Sequence, residues 1–323
     1  MICKGEMIIV KLKALSHYNS DTDTRFGDCI LIIDSQSITV YDCGHAKHAE
    51  YIETFLKDNP SITKVYVVVS HNDCDHTDGI CELLNWLKQK GKYRVSVYTH
   101  KYLKHVDYIL DKIDDGRRNR ESLKLSLLAE FDNIRDIIKE AENLGFETIE
   151  ALNGTFVGNC QIVGPTIEEF TEVAAKAVDS RQSDKIGEGH AEETVMNAAS
   201  VQLKCTLDNG KMILLCGDAS PDYLKSIDNY NIIQLPHHGQ LDSAKAIFTV
   251  LDEKSYHKEY LVSDNTGSAQ TSGGSDKLVE YMEEEHYSPA YNTKNGIVEI
   301  TGAQKSSHTG LQGRRFLGDL DCI

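Results

Sequence analysis

With 323 residues, 40% of them hydrophobic, the chain is long enough for one large α/β domain or two ordinary ones and apolar enough for a substantial core. A formal net charge of −16 argues against indiscriminate coating of nucleic acid, which depends on neutralising phosphates. The opening Met1-Ile2-Cys3-Lys4-Gly5-Glu6 lacks an apolar run with a small-residue cleavage site, and no stretch approaches a membrane span, so neither export nor membrane insertion is expected.

In chain order, Met7–Leu12 starts as an apolar strand, and Cys29–Ile33 and Ser37–Tyr41 follow after a polar loop, the last ending at Asp42-Cys43-Gly44. Residues 47–58 carry helical spacing, with apolar positions 51, 52, 55 and 56. Val65–Val69 is a continuous apolar run, as for a strand buried on both faces. A helix over about 79–90 and a strand at Val95–Tyr98 complete the first half. Residues 100–150 are charge-rich and periodic, which predicts a helical insertion. Strands return at Cys160–Val163, Ser200–Cys205 and Met212–Cys216, with 171–195 read as a long mobile loop between the first two. A helix near 220–227, strands at Ile232–Leu235 and Tyr260–Val262, and a helix over about 275–285 finish the pattern. Strand and helix alternate in both halves without a short repeat, which suggests a single α/β domain over 1–323 whose two sheets face each other with helices outside.

Nine cysteines at positions 3, 29, 43, 74, 81, 160, 205, 216 and 322 form no C-x-x-C pair, which reads as reduced thiols in a cytoplasmic protein. Charge is unevenly spread. Between Lys88 and Lys124 eleven Lys/Arg face five acids, a local +6 on a chain whose remainder is −22. That segment, with Arg117, Arg118 and Arg120 near its end, is either a solvated helical face or a patch that receives an anionic substrate.

The strongest chemical signal is Ser70-His71-Asn72-Asp73-Cys74-Asp75-His76-Thr77-Asp78-Gly79, directly after the buried strand 65–69. Four metal-capable side chains, His71, Asp73, Asp75 and His76, fall within six residues at a strand end, where a loop can turn them toward one point. Imidazole with carboxylate suits zinc or manganese. A lone loop cannot close a two-metal site. Gly217-Asp218 and Pro236-His237-His238-Gly239, each following an apolar strand, are the further ligand candidates.

Five blocks in order, Phe26-Gly27-Asp28-Cys29-Ile30-Leu31-Ile32, Tyr41-Asp42-Cys43-Gly44, the 70–79 block, Asn197-Ala198-Ala199-Ser200 leading to Leu215-Cys216-Gly217-Asp218, and Leu235-Pro236-His237-His238-Gly239, make the chain resemble the metallo-β-lactamase superfamily, and within it the ComEC-like branch of DNA-uptake proteins. The likeness implies an αββα sandwich interrupted by the 100–150 insertion. It implies that His71 and Asp73 hold one divalent ion, that Asp75 and His76 hold the other, and that Asp218 bridges them. One histidine of the 237–238 pair is also a ligand, His237 being favoured and His238 then serving as a catalytic proton donor. Asp75 both ligates and orients the attacking water, and Asp28 and Asp42 support the ligands from behind. Aspartate at position 73 is the feature that points to the ComEC-like branch. Asn197 stands where many members supply a histidine, which places it beside substrate, and His190 could reach in from the loop. The late histidine of the ComEC-like pattern is absent from the stretch beginning Asp264-Asn265-Thr266.

Three carboxylates against two divalent cations and one hydroxide balance to neutrality, and carboxylate-rich ligation makes manganese a rival to zinc. The reaction expected is phosphodiester hydrolysis of DNA, RNA or a nucleotide, steered by the basic segment. Two rivals stand beside it: hydrolysis of an ester, thioester or lactam on the same fold, and a non-catalytic metal-binding regulatory module.

Overall fold

A computed structural model describes residues 10–15, 27–113, 119–183, 195–264 and 275–301. Fourteen strands lie among them: β1 (Lys11–Ala14), β2 (Ile30–Ile33), β3 (Ser37–Tyr41), β4 (Lys64–Val68), β5 (Arg94–Thr99), β6 (Glu147–Glu150), β7 (Phe156–Val157), β8 (Cys160–Gly164), β9 (Gln202–Thr206), β10 (Met212–Leu215), β11 (Ile232–Gln234), β12 (Glu259–Val262), β13 (Tyr291–Asn292) and β14 (Val298–Ile300). They form two seven-stranded sheets, ordered β14-β1-β2-β3-β4-β5-β6 and β13-β12-β11-β10-β9-β8-β7. The helices are α1 (Ala46–Asp58), the single turn α2 (Cys74–Thr77), α3 (Ile80–Lys90), α4 (Val106–Ile113), α5 (Arg120–Ala129), α6 (Asp132–Asn143), α7 (Ile167–Ser183), the kinked turn α8 (Pro236–Gly239), α9 (Leu241–Leu251) and α10 (Asp276–Glu284).

The two-residue period of the strands sorts their side chains into separate layers. Ile38, Val40, Val65 and Val67 point to the helices outside the first sheet. Tyr41 and Val68, with Leu12, Ile30 and Ile32, point the other way and meet Leu203, Ile213, Leu215 and Ile232 of the second sheet. Leu214, Ile233 and Val262 on the far side of the second sheet meet Ala244, Ile247 and Phe248 of α9 and Leu278 of α10. Helix, sheet, sheet and helix thus stack as an αββα sandwich, the α/β architecture expected from the sequence.

Each sheet has a parallel half. In the first, β3, β4, β5 and β6 run parallel; in the second, β10, β11, β12 and β13 do. Parallel neighbours need crossovers, which α1, α3 and α9 supply, so the carboxyl ends of β3, β4, β10, β11 and β12 all open into loops.

Three local expectations change. The segment read as loop from 171 is helix through Ser183. Phe170, Val173, Ala174, Ala177 and Val178 are buried at helical spacing, a stripe in which two small alanines stand among the larger residues and weaken the hydropathy pattern. The helix expected near 220–227 is replaced by two 3₁₀ turns, Pro221–Tyr223 and Ile227–Asn229, with Ser226 between them at φ 53°, which an α-helix cannot accommodate. Cys160 and Cys205, opposite one another on β8 and β9, form a disulfide, so the expectation of uniformly reduced thiols is corrected for this pair. Within 100–150 the described residues include α4, α5 and α6. Among the described residues no helix is long and apolar enough to cross a membrane.

Candidate metal centre

The 70–79 block leaves β4 into a loop that is gripped from below. Asp42, at φ 61° just past β3, accepts hydrogen bonds from Ser70 N at 2.7 Å and Ser70 Oγ at 2.6 Å. The backbone at Asp75 lies directly on two glycines. A Cβ added at Gly27 would stand 1.7 Å from Asp75 O, and one at Gly44 1.8 Å from it. Asp28 N donates to that same oxygen at 2.8 Å, and Cys43 N to His76 O at 3.0 Å. Gly27-Asp28 and Asp42-Cys43-Gly44 are therefore the floor on which the metal-capable loop rests.

Asp218, carried past β10 by Gly217, is the hub. Its Oδ1 lies 3.5 Å from His76 Nε2. Its Oδ2 lies 3.8 Å from His71 Nε2 and 3.7 Å from His238 Nε2. His237 Nδ1 is 3.8 Å from the same Oδ2. Around this hub the groups divide in two. Asp73 Oδ2 is 3.7 Å from His71 Nε2, and Asp75 Oδ2 is 3.1 Å from His238 Nε2.

The three buried imidazoles of the centre, His71, His76 and His238, are oriented alike. His76 Nδ1 donates to Asp42 Oδ2 at 2.8 Å. His238 Nδ1 donates to Asp28 Oδ1 at 3.1 Å and Ser263 O at 3.0 Å. Ser70 Oγ has its hydrogen committed to Asp42, so at 2.9 Å it accepts from His71 Nδ1. Each ring thus spends its Nδ1 proton on support and turns Nε2 to the interior, the arrangement that fixes the tautomer of metal-ligating histidines.

What meets those nitrogens decides whether a metal fits. His71 Nε2, His76 Nε2 and Asp218 Oδ1 are buried and have no hydrogen-bond partner. Nitrogens of His71 and His76 and an oxygen of Asp218 lie within 4.8 Å of one another. Leaving such groups buried and unsatisfied costs about 1–3 kcal/mol each, more when charged. Two imidazoles and a carboxylate form a donor set suited to a borderline divalent cation. A second group, Asp28, His76 and His238, is equally close. Both oxygens of Asp28 are already engaged, Oδ2 by Gln234 and Oδ1 by His238, so that trio reads as support behind the centre.

The electrostatics agree. Burial pushes the Asp218 carboxyl up, but His238, His76 and His71 outweigh it and hold the group well below the usual carboxylate range. Burial likewise opposes ionisation of Asp75, which His238 and His76 draw down, and of Asp73, which His71 and Asn197 draw down. Burial disfavours charged His76, yet Asp218 and Asp42 raise it well above its ordinary value. His238 is raised against burial by Asp218, Asp28 and Asp75. The protein's own groups form a pocket of negative potential that is balanced by protons where no cation does so.

The structure brings together His71, Asp73, Asp75, His76, Asp218, His237 and His238, with Asp28 and Asp42 behind them. Asn197 reaches the edge, its Nδ2 donating to Asp73 Oδ2 at 2.9 Å. Within the histidine pair, His238 is the member buried against Asp28 and Ser263, and the His237 side chain is 14% exposed against 3% for His238. Both occupy left-handed backbone, φ 58° and 54°, which turns two consecutive rings toward one carboxylate. Arg120 is engaged by Asp107 and Asp111 within the helical segment. Arg117, Arg118 and His190 lie outside the described residues. The sequence reading assigned no role to Ser70 or Gln234, and it singled out Ser263 only as a candidate substrate contact, whereas its backbone O accepts from His238 Nδ1. Gln234 carried a usable signal, a carboxamide inside the apolar run 232–235.

No protein-family model matches the chain, and no curated protein does. Among solved structures the chain is similar to the metallo-beta-lactamase fold protein YhfI from Bacillus subtilis, at 13% identity and a TM-score of 0.45 over 90% of this chain and 100% of that one. It is also similar to a Cronobacter sakazakii metallo-beta-lactamase HARLDQ-motif mutant, at 16% identity and a TM-score of 0.32, over 80% of this chain and 76% of that one. Similarity to a long form RNase Z from yeast is 16% identity with a TM-score of 0.37, and although 79% of this chain is covered, it spans only 37% of that protein.

Proposed function

We propose that this chain is a metal-dependent hydrolase of the metallo-β-lactamase superfamily, in its ComEC-like branch, that cleaves phosphodiesters in DNA, RNA or a nucleotide. The observation that carries the reading is the convergence of His71 Nε2, His76 Nε2 and Asp218 Oδ1, three buried polar atoms that no protein group satisfies. His71 and Asp73 would hold one ion and Asp75, His76 and His238 the other, with Asp218 shared between them. Zinc and manganese both suit the set, and three carboxylates favour manganese more than an all-histidine site would. When bound, two such ions make a water acidic near neutral pH and offset charge on the oxygens of the phosphoryl group.

The ligand role within the pair falls to His238, because Asp28 and Ser263 consume its Nδ1 and leave Nε2 for the centre. This exchanges the roles expected from the sequence. His237, the more exposed ring, takes the place of the proton donor to the leaving oxygen. Asp75, whose Oδ2 faces the interior, orients the attacking water. Asn197 holds Asp73 by one oxygen.

Metal content of the protein as purified, followed by assay of a nitrophenyl phosphodiester, single-stranded DNA, RNA and cyclic nucleotides against ester, thioester and lactam substrates, tests the reading. Divalent metal together with phosphodiester cleavage is expected. Turnover of acyl substrates alone would transfer the chain to the acyl-hydrolase alternative. Metal without any turnover, with the same background rate in Asp75→Ala, would make it a binding module.

A further inference from the structure

We propose that Gln234 is a positioning residue of the centre, locking the Gly217-Asp218 turn and Asp28 into one frame and thereby aiming His238 at Asp75 and Asp218; this rests on the metal-centre reading above. Gln234 is the last residue of β11 and is 1% exposed. Two residues before it on the same strand, Ile232 packs into the apolar layer between the sheets. An aliphatic side chain is the economical occupant of such a position, since a buried carboxamide is costly unless its hydrogen bonds are made.

They are made, to the turn that follows β10 and to Asp28 ahead of β2. Oε1 accepts from Cys216 N at 3.0 Å and Gly217 N at 3.3 Å, the two residues that lead into Asp218. Backbone N–H groups only donate, so the oxygen must face them and the amide nitrogen must face away. Nε2 accordingly donates to Asp28 Oδ2 at 2.8 Å. The other oxygen of Asp28 accepts from His238 Nδ1, and His238 Nε2 then lies 3.1 Å from Asp75 Oδ2. One side chain thus links the turn carrying the hub carboxylate to the aspartate that sets the tautomer and direction of His238. Without its donor, a carboxylate as buried as Asp28 would rotate toward other partners and release the imidazole.

The polarity of this relay can be reversed, which gives the test. Gln234→Glu keeps an acceptor for the two backbone N–H groups but sets a carboxylate against Asp28. Asp28→Asn in the same chain restores a donor opposite that acceptor and leaves a carbonyl oxygen for His238 Nδ1. Zinc affinity is measured by competition with a chelator for the full-length wild type, both single variants and the double variant. The expected result is a loss of about 10–100-fold in Gln234→Glu, in line with other residues that support metal ligands, and recovery to within about threefold of wild type in the double variant. A merely structural filler would not be rescued by exchanging donor for acceptor. Wild-type affinity in Gln234→Glu, or a double variant no better than the worse single one, overturns the proposal. If Gln234→Glu does not fold, Gln234→Met, uncharged and of similar volume, is measured in its place, and unchanged affinity there also overturns it. Absence of zinc binding by the wild type would sink the metal-centre reading itself, an outcome distinct from wild-type binding with unaffected variants.

Discussion

Asp218 places both carboxylate oxygens among imidazole nitrogens, Oδ1 toward His76 and Oδ2 toward His71, His237 and His238. Asp218→Asn preserves its shape and removes its charge, so metal retained after gel filtration should fall, and under the proposed function turnover should drop by about 10–100-fold. Full metal content in that variant would refute the hub role. Gly44 is a second sensitive position. A Cβ there would lie 1.8 Å from Asp75 O, so Gly44→Ala must displace the metal-capable loop, at about 1–3 kcal/mol read as a lowered urea midpoint. The residues themselves were largely legible, because four metal-capable side chains within six positions after a buried strand seldom have another purpose. The difference in burial and partners between His237 and His238 was not. It depends on two consecutive left-handed residues and on Asp28, 210 positions from His238, neither of which leaves a periodic trace.

Helix α6 begins without a cap of its own: Phe131 at its N-cap position supplies no side-chain hydrogen bond. The cap comes from the metal-capable loop, where Asn72 Oδ1 accepts from Ile134 N at 3.0 Å while Asn133 Nδ2 donates to Asn72 O at 2.7 Å. Asn72, a spacer between His71 and Asp73 in the motif, thereby ties the helical segment to the centre. Asn72→Ala should cost about 1 kcal/mol, as loss of an N-cap does. Amide hydrogen exchange should quicken at Ile134 and across 71–76 together; exchange confined to α6 would mean that the two elements are not coupled. Element types were readable where the apolar pattern was strong, as in β4 and α3. The pattern failed for α7, whose buried stripe relies on Ala174 and Ala177, and for 220–227, where Pro221 and the left-handed Ser226 break the helix that composition suggested. The capping of α6 by a loop some sixty residues away could not be read from a one-dimensional pattern.

At the scale of the whole molecule, two parallel half-sheets direct their carboxyl ends to one place, and the price of that convergence is charge. Asp73, Asp75 and Asp218 meet there, and His76 and His238 answer them. His76 has an ordinary pKa of 6.5 and a folded value well above it. Its contribution to stability is therefore complete below about 6.5 and drains away as pH rises through the folded value. His238 behaves in the same sense. Asp218 is the reverse case: from an ordinary 3.8 it is drawn far down, so its contribution is present above that value and is lost as pH falls through the folded one. Chelator-treated protein should accordingly be most stable between about pH 4 and 6.5 and weaken on the alkaline side, as the carboxylates lose their imidazolium partners. A divalent cation supplies the same positive charge without a proton, and at a thousandfold excess over its Kd it adds about 4 kcal/mol to the folded state. The rise in Tm on adding zinc or manganese should therefore be small at pH 6 and grow steadily toward pH 8.5, with protons released on binding. A rise of equal size at both pH values would mean that metal and proton do not compete for the same nitrogens, and that the ions bind elsewhere on the chain.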